Sequence, residues 1–81
     1  MKDKPEILVV DDDTAHRVML KKLLAGWGYA VSEADDGLKA VNLVEAQPFD
    51  AVLMDIRMVN MSGIEALERI RAIAPGLPVL I

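Results

Sequence analysis

The sequence predicts an α/β domain built on a doubly wound parallel sheet with strand order 2-1-3-4. Three observations predict it. Two short apolar runs, Ile7-Leu8-Val9-Val10 and Ala51-Val52-Leu53-Met54, are bounded by polar residues and read as strands buried on both faces. Both runs end in acid, the first at Asp11-Asp12-Asp13 and the second at Asp55. Apolar runs alternate with stretches of helical spacing through connections of a few residues, which calls for parallel strands, right-handed crossovers and helices on both faces.

Taken in order, the polar start gives way to a strand over residues 7–10, and Asp11 to Thr14 form a turn rich in helix-capping side chains. A helix follows over residues 15–25, with Ala15, Met19, Leu20, Leu23 and Leu24 at helical spacing and His16, Arg17, Lys21 and Lys22 mostly elsewhere. Gly26 or Gly28 ends it, and Trp27 is expected to cover its apolar face. Residues 29–34 form a second strand, whose polar Ser32 and Glu33 assign it to the sheet edge. Asp35-Asp36-Gly37 then caps a helix over residues 38–46, with Ala40, Val41 and Val44 inward and Pro48 after its end. The third strand runs to Asp55. Ser62 and Glu65 have capping-box spacing at the start of a third helix, whose predicted buried stripe is Ile64, Leu67, Ile70 and Ile73 or Ala74. Pro75-Gly76 breaks that helix, and Pro78-Val79-Leu80-Ile81 opens a fourth strand.

With 81 residues the chain is one small domain or part of one. Its 53% hydrophobic content and mean hydropathy of +0.29 are high for so small a unit, so some apolar surface is expected to meet a partner. A net charge of -4 argues against direct nucleic-acid binding, which draws its affinity from clustered Lys and Arg. The absence of cysteine excludes disulfides, thiolate metal ligands and a thiol nucleophile. The opening Met1-Lys2-Asp3-Lys4-Pro5-Glu6 is too polar for a secretory signal and no apolar run is long enough to span a bilayer, so the chain reads as cytoplasmic and not membrane-bound.

In an open parallel sheet, ligands bind outside the carboxyl ends of the strands where the winding reverses. Strands one and three are neighbours at that point in the predicted order, and adjacent strands lie about 4.8 Å apart. Asp12 and Asp55 should therefore bring their oxygens within a few ångströms of each other. Two unit charges roughly 5 Å apart repel by about 3 kcal/mol at an effective dielectric near 20, so a cation or proton is needed between them. All-oxygen ligands favour a hard hydrated ion, Mg²⁺ or Mn²⁺. A carboxylate beside such an ion can take a phosphoryl group, and Asp55 is the candidate acceptor. Asp13 by itself reads as a helix cap, and His16, with no Ser, Cys or Asp partner set in view, as a surface histidine.

Ile7-Leu8-Val9-Val10-Asp11-Asp12-Asp13, Leu53-Met54-Asp55-Ile56-Arg57-Met58 and Gly63 after the loop together resemble the receiver domain of bacterial two-component response regulators, over essentially the whole chain. The resemblance implies a flavodoxin-like fold and a regulatory phosphoacceptor whose family members catalyse their own phosphorylation and dephosphorylation. It implies that Asp55 accepts a phosphoryl group from a histidine kinase and that Asp12 and Asp55 bind Mg²⁺ directly. Asp11 would act mainly through water, and the backbone carbonyl of Arg57 would be a further ligand. Val59 stands where the family usually has Pro.

The family's switch Ser or Thr and its phosphate-pairing Lys would lie beyond Ile81, so the resemblance also implies a piece that stops in the fourth strand, without the last strand and the last two helices. Leu, Trp and Ile side chains would then be exposed, and self-association is expected. Asp55-Ile56-Arg57-Met58 and Gly26-Trp27-Gly28-Tyr29 look most like receivers attached to transcription-activating ATPase modules, which would make the missing carboxyl-terminal output domain a partner. Two alternatives stay open: a phosphatase forming an aspartyl intermediate at Asp11, and an interaction module that is not phosphorylated.

Overall fold

The computed structural model describes residues 4–55 and 63–81. The elements run β1 (Glu6–Val10), α1 (Thr14–Gly26), β2 (Ala30–Ala34), α2 (Gly37–Ala46), β3 (Ala51–Met54), α3 (Gly63–Ile73) and β4 (Val79–Leu80). The sheet is parallel with order β2-β1-β3-β4, as the alternation of runs predicts. β2, with Ser32 and Glu33, is at one edge. Val10 is in register with Ala34 on one side and Met54 on the other.

Alternation along the strands divides the core in two. Leu8, Val10, Val52 and Met54 point to one face, where Ala40, Val41 and Val44 of α2 and Ala66 and Ile70 of α3 close over them. Ile7 and Val9 point to the other and meet Leu24 of α1, with Leu20, Tyr29, Val31, Ala51 and Leu53 around them. Among the described residues, one face thus carries two helices and the other one.

The helix starts follow from their caps. Asp13 Oδ1 accepts the His16 amide at 3.1 Å and Asp36 Oδ1 accepts the Lys39 amide at 2.8 Å, so α1 and α2 each begin one residue before the predicted start. The predicted cap at Ser62 lies outside the described residues. Within α3 the buried positions are Gly63, Ala66 and Ile70, with Leu67, and Ala74 just past its end, partly covered. Ile64, expected inward, is exposed, and of the two alternatives Ile73 and Ala74 it is Ala74 that packs on the core while Ile73 is exposed. Gly63, which has no side chain, and the small Ala66 occupy buried positions of α3, and that orientation turns the bulkier Ile64 aside.

The end of α1 corrects the expectation for Trp27. Gly28 has φ +95°, and its amide bonds the Ala25 carbonyl while the Tyr29 amide bonds that of Leu24, both at 3.1 Å. These bonds make a Schellman turn, a motif in which the residue after the left-handed glycine packs back on the helix. Tyr29 therefore meets Leu24 in the core, and Trp27 is left 66% exposed. Met19 and Leu23, also expected inward, lie on the same outer side at intervals of four and are exposed.

A Cβ at Gly28 would meet no atom within 4 Å, so only its backbone conformation resists substitution. Gly28→Ala is expected to cost about 1–2 kcal/mol of unfolding free energy in urea, the price of the left-handed conformation, whereas Trp27→Ala should stay within about 0.5 kcal/mol.

Candidate functional site

The sheet ladder continues one residue beyond each assigned strand and fixes the two acidic ends. The Asp11 amide donates to the Ala34 carbonyl at 3.1 Å and the Asp55 amide to the Val10 carbonyl at 2.9 Å. Asp11, Asp12 and Asp55 consequently converge, one carboxylate oxygen from each lying within 4.8 Å of the others. Asp11 is buried at 3% exposure, Asp55 is half-buried and Asp12 is exposed. Asp11 and Asp55 open onto a cleft of about 320 Å³ on the α1 side of the sheet, walled by His16, Leu53, Leu80 and Ile81. Arg57 and Val59 lie outside the described residues.

The structure adds contacts to Asp11 that the sequence did not disclose. Its Oδ1 accepts the Asp13 amide at 2.9 Å, and its Oδ2 is hydrogen-bonded by His16 Nδ1. Its backbone carbonyl accepts Arg17 Nη1 at 2.8 Å. Arg17 also donates through Nε to Glu33 Oε1 at 3.1 Å, and Lys21 Nζ sits 3.2 Å from Glu33 Oε2. α1 is thereby tied to the ends of both β1 and β2. His16 is at the surface as expected, yet it does have an aspartate partner. The signal was present: with Asp13 as cap, His16 is the third helical residue, and helical side chains tilt back toward the amino terminus, here toward the end of β1.

Burial alone would raise the Asp11 carboxyl, but the hydrogen bonds from the Asp13 amide and His16, with the charges of His16 and Arg17, outweigh it and hold the group below the usual carboxylate range. The same bond to Asp11 raises His16, against a smaller loss on burial and with added support from the charges of Asp11, Asp13 and Asp55. Asp11 is therefore an anion, and within the three-acid cluster its charge is offset by His16 and Arg17 of α1. A donor set of carboxylate oxygens without a thiolate suits a hard divalent cation, and the ladder holds it preformed.

The family model described as the response regulator receiver domain matches residues 7–81. The chain is 51% identical over 79 residues to the transcriptional regulatory protein ZraR of Klebsiella oxytoca, a match covering 98% of this chain and 18% of that protein. A response regulator receiver domain protein from Methanospirillum hungatei JF-1 superposes with a TM-score of 0.93 at 34% identity, over 95% of this chain and 62% of that one. The receiver domain of a sensor histidine kinase from Pseudomonas aeruginosa PAO1, with a magnesium ion coordinated in its active site cleft, gives 0.90 at 35% identity, over 94% and 64%.

Because Asp12 adds a third carboxylate to a crowded strand end, Asp12→Asn should stabilise the chain in metal-free buffer. A relief of about 1 kcal/mol corresponds to a rise of roughly 4–8 °C in the thermal midpoint for a domain of this size, read by circular dichroism with chelator present.

Proposed function

The chain belongs to the response regulator receiver domain family, and from that premise we propose that Asp55 is its phosphoacceptor and that Asp12 and Asp55 hold a divalent cation, Mg²⁺ or Mn²⁺. The observation that carries this reading is the convergence of Asp11, Asp12 and Asp55 within 4.8 Å at the adjoining ends of β1 and β3. The magnesium ion in the cleft of the Pseudomonas receiver supports the choice of Mg²⁺. Asp11 acts mainly through water, and the Arg57 backbone carbonyl completes the proposed ligand set.

In the transfer, an Asp55 carboxylate oxygen attacks the phosphorus of a phosphorylated histidine on a partner kinase. The new O–P bond forms as the N–P bond breaks, and the departing imidazole keeps the electron pair and takes up a proton. A bound divalent cation offsets the carboxylate charge so that the phosphoryl anion can approach. The family's self-catalysed phosphorylation and dephosphorylation come within this proposal. Asp11 is the weaker nucleophile on two counts: it is 3% exposed, and both its oxygens already accept protein hydrogen bonds. That argues against an aspartyl intermediate there.

The chain spans about a fifth of the length of the ZraR relatives. An output domain that acts on transcription is the partner supported by their description as transcriptional regulatory proteins. No described helix is long and apolar enough to cross a membrane, and a cytoplasmic location fits exchange with a kinase. Exposed Leu23, Trp27, Leu80 and Ile81, with β4 at a sheet edge, support self-association of the 81-residue chain.

With Mg²⁺ and a small phosphoryl donor, intact mass should show one phosphoryl adduct that peptide mapping assigns to Asp55 and that Asp55→Asn abolishes; an adduct surviving in that variant would refute the assignment. Light scattering after size exclusion should give a mass above the monomer that falls on dilution, whereas a monodisperse monomer at all concentrations would exclude self-association.

A further inference from the structure

The opening turn of α1 closes around Asp11. Asp13 contributes its amide to Asp11 Oδ1 at 2.9 Å and its own Oδ1 to the His16 amide at 3.1 Å. This cap fixes the backbone of His16, whose Nδ1 then reaches Asp11 Oδ2. Arg17 secures the Asp11 carbonyl at 2.8 Å. Asp11 thus has both carboxylate oxygens engaged by nitrogens of its own chain while it contributes to the set of three acids.

A cation drawn to that set meets an Asp11 whose oxygens are already committed. To take either one directly it must share or displace a hydrogen bond, and the two bonds differ in how easily they yield. The Asp13 amide is part of the loop backbone that leads into α1 and moves only with it. The His16 side chain is 52% exposed, so it is the partner that can swing away.

We propose that His16 is a positioning residue that tethers the Asp11 carboxylate to α1, keeps it turned from direct ligation, and so limits the affinity of the acidic site for divalent cations. The inference rests on the reading that Asp11, Asp12 and Asp55 form a cation site. It requires only an N–H at Nδ1, which the imidazole supplies in either charge state with the appropriate tautomer. It also fits the proposed action of Asp11 through water: a carboxylate held from one side by the helix can accept hydrogen bonds from cation-bound water while remaining outside direct contact.

Three substitutions separate the tether from simpler effects. His16→Ala removes the donor, His16→Phe removes it while retaining a ring, and His16→Asn keeps an amide N–H near the position of Nδ1. Mg²⁺ dissociation constants are read from amide NMR shifts during titration, with Asp12→Asn as the site control. The Ala and Phe variants should bind Mg²⁺ about 3- to 10-fold more tightly than the unsubstituted chain, the range expected when one competing hydrogen bond is lost. Asn should restore an affinity within about 2-fold of the original, as a retained donor requires. Their midpoints in chelator should fall or hold while the rise on adding Mg²⁺ grows.

Unchanged or weaker binding by both Ala and Phe would overturn the proposal, because a merely structural histidine gives that result. Tightening by Asn equal to that by Ala would overturn it too, since the ring's charge and not its hydrogen bond would then be the cause. If the unsubstituted chain shows no saturable Mg²⁺ shift that Asp12→Asn weakens, the cation-site reading itself fails and the tether falls with it. Should Ala prevent folding, as judged by loss of amide dispersion, Phe carries the test.

Discussion

The adjacency of β1 and β3 is the constraint on which the site depends. The two strands are far apart in sequence, and the β-α-β-α-β winding brings them together with Val10 opposite Met54. Once they pair, the next hydrogen bond in the ladder, from the Asp55 amide to the Val10 carbonyl, leaves no freedom over where the acids go. Each strand is apolar up to its end and acidic after it, so the boundary between core and water coincides with a cluster of like charges. Burying those carboxylates would be costly. Of the three the structure buries Asp11, whose oxygens meet the Asp13 amide and His16, and leaves Asp12 exposed and Asp55 half-covered, where water screens much of the repulsion.

α1 links that cluster to the rest of the domain. Its first turn holds Asp11 through His16 and Arg17, its middle reaches β2 through Arg17 and Lys21 on Glu33, and its end is closed by Gly28. It is nonetheless the less buried partner of the sheet. α2 and α3 share one face and fill it with Ala40, Val41, Val44, Ala66 and Ile70, whereas α1 alone contributes Leu24 and part of Leu20 to the other. Met19, Leu23 and Trp27, which it does not bury, leave exposed apolar surface on its outer side. Leu80 and Ile81 add exposed apolar surface at the mouth of the acidic cleft. Electrostatic order and apolar exposure therefore occur on the same side of the sheet.

The element order, the strand order and the meeting of Asp12 with Asp55 at adjoining strand ends were legible in the sequence. Each follows from local signals that act over a few residues: apolar runs of strand length, aspartate caps, glycine and proline breaks, and an acid immediately after a buried strand. What it left open was which side of each helix turns inward. Helical spacing allowed Ile64 and Ile73 to be core in α3, and Met19, Leu23 and Trp27 to be covered in α1. The tertiary structure decided otherwise, because helix rotation is set by how closely small residues such as Ala66 let a helix approach and by how many helices share a face. The partnership of His16 with Asp11 was likewise decided in three dimensions. Five residues of separation give no contact by themselves; it takes the Asp13 cap to aim the first turn of α1 at the end of β1, and the sheet to hold that end still.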